Sequence, residues 1–296
     1  MHRRPPFTAS YGLESYSSDI GFFVAARTAE IDAMVIESAP KLSAILVVRN
    51  EAHCLAKCLS SISSIADEII VMDSGSTDET VAIARSFGAK VEVTDWPGFG
   101  PQKNRALSRA RGEWVLAIDA DERLTPELTA SIRAAVDAPR SDVNGYLMLF
   151  VSTWCGEPVR FGDWAGKCHL RLFRRDKAQF TDARIHERVM CEPPHAKLTG
   201  VMIHDTVADE SEALEKGRRY AELSAQSLAA KSRGGALPAL LHGAWTFLRC
   251  YLFKGGFLDG RVGWKVASAL TKGTWLRYRL AGQQLADRRK NLTRAS

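Results

Sequence analysis

The chain has 296 residues, 46% hydrophobic and 25% charged, which provides for a globular core and excludes the fibrous and disordered classes. Its net charge of +6 is unevenly placed: residues 236–296 hold 11 Lys and Arg against Asp259 and Asp287, while the other 235 residues carry 29 basic and 32 acidic groups. The basic tail is interleaved with Trp, Phe, Leu and Tyr and resembles no nucleic-acid module, so no nucleic-acid partner is expected and an anionic membrane surface is favoured.

Residues 1–40 read as a poorly ordered extension, and translation is expected to begin at Met34. From Lys41 strands and helices alternate. Leu42 to Val48 is a continuous apolar run, the mark of a strand covered on both faces. A helix follows with Leu55, Cys58, Leu59 and Ile62 on one side, then a strand from Glu68 that ends at Asp73. Ser76 with Glu79 three residues on reads as a capping box opening a helix to Phe87. Lys90 to Val93 is a strand, Pro101 to Ala110 a helix, and Trp114 to Ile118 a strand that delivers Asp119. Thr125-Pro126 supplies a cap and a first-turn proline for the next helix. Such alternation predicts a largely parallel sheet with helices on both faces, which binds ligands beyond the carboxyl ends of its strands. Asp73, Asp119 and Asp121 all fall at such ends.

Beyond Asp142 the pattern changes. Tyr146 to Val151, His169 to Arg174 and Leu198 to His204 read as strands, and Ser211 to Lys231 as a long helix. The tail sets Leu237, Leu240, Leu241, Trp245, Leu248 and Leu252 on one helical face, and a second basic, aromatic segment runs from Trp264 to Leu280. Gly234 to Leu248, the longest uncharged tail stretch, falls short of the ~20 apolar residues a membrane span needs. The six cysteines are scattered. Cys54 and Cys58 lack a second ligand pair at comparable spacing, so reduced thiols are expected rather than a zinc centre.

Asp119-Ala120-Asp121 carries the chemistry. Alternation along a strand lets both carboxylates point one way, where they suit Mg²⁺ or Mn²⁺; a solvated turn is the plain alternative. Four segments occur in order: Leu46-Val47-Val48-Arg49-Asn50-Glu51-Ala52, Val71-Met72-Asp73-Ser74-Gly75-Ser76-Thr77-Asp78, Gln102-Lys103-Asn104-Arg105-Ala106 and Asp119-Ala120-Asp121-Glu122. Over Leu42 to Glu122 the chain thereby resembles the family 2 glycosyltransferases, whose nucleotide-binding half is an α/β GT-A fold. The resemblance implies that Asn50 and Glu51 line the base and ribose pocket, and that Asp73 bonds the uracil or ribose. It also implies that Gln102, Lys103 and Arg105 close over the nucleotide, although Lys103 and Arg105 read equally as surface charges. Asp121 becomes the metal ligand, and Asp119 serves the ribose or the metal.

A second likeness is narrower. His169-Leu170-Arg171-Leu172-Phe173-Arg174, Ile185-His186-Glu187, Ile203-His204 and the stretch from Phe247 to Gly260 resemble the subgroup that builds the lipopolysaccharide inner core, typified by core β-1,4-glucosyltransferases. That likeness implies a UDP-hexose donor, a lipid-linked glycan acceptor and a place on the cytoplasmic face of the inner membrane. Glu187 is the expected base of an inverting transfer, against a salt bridge to Arg184 or Arg188; His204 completes the metal or diphosphate site, against a structural role. Arg171 and Arg174 either meet phosphates or form a solvated face. The expected organisation is an extension over 1–40, a GT-A glycosyltransferase domain over 41–235 and an amphipathic helical tail over 236–296. A non-catalytic membrane adaptor on the same fold, or a transferase acting on another polyprenyl- or polysaccharide-linked acceptor, stays open.

Overall fold

A computed structural model describes residues 39–182 and 187–295. The readings made on residues 1–38, including a start at Met34, and on Arg184, Ile185 and His186 lie outside the described residues. The central sheet begins with β1 (Leu42–Val48), which pairs in parallel with β2 (Glu68–Asp73) and β4 (Trp114–Ala117); β3 (Lys90–Val93) extends it beside β2. Helices α1 (Ala52–Ile62), α2 (Thr80–Ser86) and α3 (Phe99–Arg109) connect these strands. Side chains alternate across the sheet. Ile45, Ile70, Met72, Val115 and Ala117 pack with Ala106 of α3 and Ala110 just after it. Ala44, Leu46, Val71 and Leu116 pack on the other face with Leu55, Leu59 and Ile62 of α1 and with Leu128 and Ile132 of α4 (Pro126–Asp137). Each fully buried Leu or Ile here contributes about 1.5–3 kcal/mol. Both faces are covered, as continuous apolar strands require.

The sheet then changes direction. Its order is β3-β2-β1-β4-β8-β6-β11-β5, with β8 (Cys168–Arg174) antiparallel to both β4 and β6 (Gly145–Trp154). The long β11 (His195–Val207) runs parallel to β6 and antiparallel to the short β5 (Glu122–Leu124). Two-residue β7 (Glu157–Pro158) edges β6, and β9 (Ala178–Phe180) pairs separately with β10 (Val189–Cys191). The fold is the expected α/β GT-A type, parallel in its first half and mixed in its second.

Thr125 caps α4 as its sequence predicts, accepting a hydrogen bond from Leu128 N. The predicted capping box at Ser76 does not form. The Ser76 hydroxyl donates to the Asp73 carboxylate and accepts from Asn50 N at 2.9 Å, so α2 starts only at Thr80. A local cap lost to a tertiary partner explains the shift.

The C-terminal helices are α5 (Glu210–Ala230), α6 (Ala236–Phe247) and α7 (Gly260–Ala295), with α5 and α6 both packed along α7. A π-helical turn (Leu248–Phe253) and a 3₁₀ turn (Gly256–Asp259) join α6 to α7. The turn is drawn tight: a Cβ on Gly263 would stand 1.7 Å from the Gly256 carbonyl oxygen. Asp259 accepts from Arg160 N and Phe161 N, and Asp163 receives Arg249 and Lys254 at 2.6 and 2.7 Å, latching the hairpin tip to the loop after β7.

Candidate active site

Three neighbouring strand ends build the site. Asp73, 1% exposed, closes β2 and accepts from Gly75 N and Ser76 N at 2.9 Å, which bends the chain away from the sheet. Asn50 sits beside this turn with φ +57°, and its Oδ1 accepts from Thr77 N at 2.8 Å. Glu51 N donates to Thr80 Oγ1. Burial, more than any neighbour, raises the Glu51 carboxyl above its ordinary value. Gln102 is fully buried and donates to Thr94 Oγ1 and Ser74 Oγ, tying α3 to the loops after β2 and β3. Asn50, Asp73 and Gln102 thus brace the loops after β1, β2 and β3, and none of the three is among the residues that line the cavity at the charged centre. Arg105 does not join the acidic centre: its guanidinium turns to Asp95 at 2.6 Å and to Gln102 Oε1.

The charged centre lies between α3, β4 and β8. Lys103 Nζ meets Asp119 Oδ1 at 2.9 Å and Glu187 Oε1 at 2.8 Å, with its side chain only 7% exposed. Arg171, reaching from β8, meets Asp119 Oδ2 at 2.9 Å and Glu122 Oε1 at 2.5 Å. Asp119 N completes the knot by donating to Glu122 Oε2. Burial opposes ionisation of Asp119, yet Arg171 and Lys103 hold its carboxyl well below the usual carboxylate range. Burial pushes the Glu122 carboxyl up to about 7, against the pull of Arg171 and with Asp119 adding to the rise. Burial also works against the Lys103 charge, but Asp119 and then Glu187 outweigh it, and the ammonium is held more firmly than in water.

These contacts correct two readings. Arg171 is buried between two carboxylates rather than presented to solvent, and Arg174 stacks on Trp114 at 4.7 Å while pairing with Glu113. Lys103 is not a surface charge. The described partner of Glu187 is Lys103, from α3.

Asp121 and His204 stand apart from this knot. His204 Nε2 lies 3.1 Å from Asp121 Oδ2, and both side chains are about one-third exposed, at 34% and 35%. Their meeting follows from the β11–β5 ladder, in which His204 is the register partner of Glu122, one residue beyond Asp121. Burial disfavours a charged His204, but the hydrogen bond to Asp121 and its charge prevail and raise the imidazole pKa. The pair fits a divalent metal. Adjacent ligands on an octahedral ion at about 2.1 Å stand roughly 3 Å apart, and two protein ligands leave places for phosphate oxygens and water. Asp119 fits less well, because each of its oxygens already faces a cation. A second donor set, Glu51, His53 and Cys54, has ligand atoms within 4.8 Å of one another, and Cys54 Sγ donates to Glu51 at 3.4 Å. That grouping was invisible to a search for zinc spacing.

A cavity of about 390 Å³ opens onto the centre, lined by Lys103, Asp119, Arg171, Glu187 and His204 with Phe150 and Phe180 as apolar walls. His169 also lines it, edge-on to Phe150, and burial followed by the Arg171 charge lowers its pKa, keeping it neutral near pH 7. Sequence reasoning assigned no role to Glu122 or His169. The acidic spacing after Asp119 was the available signal for Glu122, and His169 was marked only as the first residue of the segment that carries the narrower likeness.

Residues 43–180 match the family model described as Glycosyl transferase family 2. The chain carries a family 2 glycosyl transferase domain. This family 2 domain is similar over 92 residues to an uncharacterized glycosyltransferase of Rickettsia felis, at 49% identity, covering 31% of this chain and 32% of that protein. The chain spans between a quarter and a third of the length of the first curated relatives it matches. A longer likeness joins it to the lipopolysaccharide core biosynthesis glycosyltransferase LpsC of Rhizobium meliloti, 29% identical over 267 residues, 83% of this chain and 96% of that protein. Among solved structures, glucosyl-3-phosphoglycerate synthase of Mycobacterium tuberculosis, in complex with Mn²⁺, UDP and glucosyl-3-phosphoglycerate, aligns at TM-score 0.31 and 25% identity. That alignment covers 51% of this chain and 53% of the synthase. The family model stops before Glu187, which lies in the loop before β10, and before His204, which β11 brings to the site.

Proposed function

We propose that this chain transfers a hexose with inversion from a UDP-linked sugar to a lipid-linked glycan such as the lipopolysaccharide core. The observation that carries the reading is the Asp121–His204 pair beside the Asp119–Lys103–Glu187 chain, with Lys103, Asp119, Glu187 and His204 lining one cavity. Asn50, Glu51, Asp73 and Gln102 frame the nucleoside side. Arg105, paired with Asp95, serves that rim by bracing Gln102. Asp121 and His204 would hold Mg²⁺ or Mn²⁺, which offsets the charge of the departing diphosphate when bound. Glu187 takes the proton of the acceptor hydroxyl as that oxygen bonds to the anomeric carbon and the bond to the diphosphate breaks. Lys103 keeps Glu187 directed at the cavity, and the Phe150 and Phe180 walls limit water there. The long likeness to the Rhizobium meliloti protein supports the lipopolysaccharide acceptor.

Residues 41–235 form the transferase domain in this reading, and 236–296 a membrane-facing tail. Among the described residues no helix is long and apolar enough to cross a membrane. Leu237, Leu240, Leu241 and Trp245 on α6 and Phe253 on the turn nonetheless expose more than half their surface. The only carboxylate between residues 236 and 286 is Asp259, and backbone amides occupy it. An apolar, aromatic face with basic flanks suits peripheral attachment to the anionic cytoplasmic leaflet of the inner membrane, where a lipid-linked acceptor resides.

Calorimetry with UDP and Mn²⁺ tests the core of the reading. The wild type should bind UDP in a metal-dependent manner, and Asp121→Ala should lose that dependence. No UDP binding, or binding indifferent to the substitution, would overturn the assignment.

A further inference from the structure

A second cavity, of about 400 Å³, lies where β6 and β11 end against α5 and α7. Trp154 and Trp164 form an aromatic wall, their ring centroids 5.8 Å apart and their planes tilted by 40°. Gly217 and Gly273 lie on the helical side, and no carboxylate lines the space. Two cations do. Lys216 is already engaged, meeting Glu212 at 2.7 Å and donating to the Thr206 carbonyl at 3.1 Å. Arg277 is half-buried and differs: the Tyr278 ring, 5.5 Å away, is its described partner, and its Nε is buried without a hydrogen bond. Trp154, 4% exposed, likewise has an indole N–H without a partner.

The Arg277 guanidinium has a buried, unbonded Nε and no anion against it among the described residues, so a ligand that supplies one would be favoured. The planar fork of a guanidinium suits a carboxylate or phosphate. Flat indole faces suit the C–H faces of a sugar ring, which are apolar while the ring edge is polar. The cavity also adjoins the candidate active site: Thr206, in its lining, lies two residues beyond His204 on β11. We propose that this cavity binds an acidic sugar unit of the acceptor glycan, stacked on Trp164, which Trp154 backs, with Arg277 meeting its acidic group. The proposal rests on the transfer reading and adds a recognition site for a charged acceptor.

The test uses the full chain saturated with UDP and Mn²⁺, with ligand-observed NMR titrations of glucuronate, glucose 6-phosphate and glucose. At least one of the two acids should bind fivefold or more tightly than glucose, and the tighter one identifies carboxylate or phosphate. Arg277→Gln should erase the preference, Arg277→Lys should keep part of it, and both should bind UDP as the wild type does. Trp164→Leu should weaken all three sugars alike and leave the preference intact, a second readout should Arg277→Gln lose UDP binding through misfolding. Equal binding of acids and glucose, or an unchanged preference in a folded Arg277→Gln protein, would overturn the proposal. If the wild type fails to bind UDP, the transfer reading falls instead, so the two failures are distinguishable.

Discussion

Lys103 and Glu187, 84 positions apart in sequence, form a 2.8 Å ion pair whose ammonium also holds Asp119 at 2.9 Å. One buried cation therefore neutralises carboxylates from two separate parts of the chain. Lys103→Met should leave both without it and lower unfolding stability by about 1–2 kcal/mol, less than for fully buried charges because both carboxylates keep some contact with water. Urea unfolding at pH 7 checks this. A loss below about 1 kcal/mol would mean that Arg171 and water suffice.

His204 is one of two exposed donors 3.1 Å apart, and the other lies on the loop before β5. His204→Ala should weaken Mn²⁺ binding at least tenfold while leaving the fold intact, because one-third of the side chain already faces solvent. Chelation of the wild type should reproduce the loss of UDP affinity. Mn²⁺ titration followed by electron paramagnetic resonance provides the measurement; an unaltered affinity would remove His204 from the metal site.

Acid should weaken the sheet through Glu68. Its side chain is 4% exposed, and Lys90, Ser43 and Arg111 all hydrogen-bond to it. Burial opposes the charged form, but these donors win and lower its pKa from 4.5 to about 2. A lowered folded-state pKa gives stability that is complete above about pH 4.5 and fades as pH falls towards 2. The contribution is on the order of 2–3 kcal/mol. Glu68→Gln should be less stable than wild type at pH 7, with the gap closing below pH 4. A gap independent of pH would show that packing, not charge, stabilises this corner.

The exposed face of α6 should bind vesicles. Leu241→Ser with Trp245→Ser removes two side chains that are 60% and 53% exposed, so stability should change by less than about 0.5 kcal/mol. Flotation with vesicles containing anionic lipid should fall more than tenfold, since each apolar side chain contributes about 1.5–3 kcal/mol when fully buried. Equal flotation of the variant would exclude this face as the anchor.

Much of the parallel half was legible because β1, β2 and β4 are apolar on both faces and each ends at a turn signal. Asp121 and His204 were legible as candidates, and the β11–β5 register puts them together. Arg171 was not. The alternation of Leu170, Arg171 and Leu172 looks the same whether an arginine faces water or two carboxylates 49 and 52 positions away. The shift in α2 has the same origin, since a serine that could cap a helix locally was claimed by Asp73 and Asn50. Local chemistry names the available partners, and tertiary distance chooses among them.

The order in which donors appear along the chain has a consequence for synthesis. Asp73, Lys103 and Asp119 emerge from the ribosome early, but Glu187 and His204 follow the segment that the family model covers. A nascent chain ending near Phe180 would hold Asp73, Lys103 and Asp119 without the second donor of the Asp121–His204 pair. Under the proposed mechanism, it could not discharge a sugar onto water before β11 has joined the sheet.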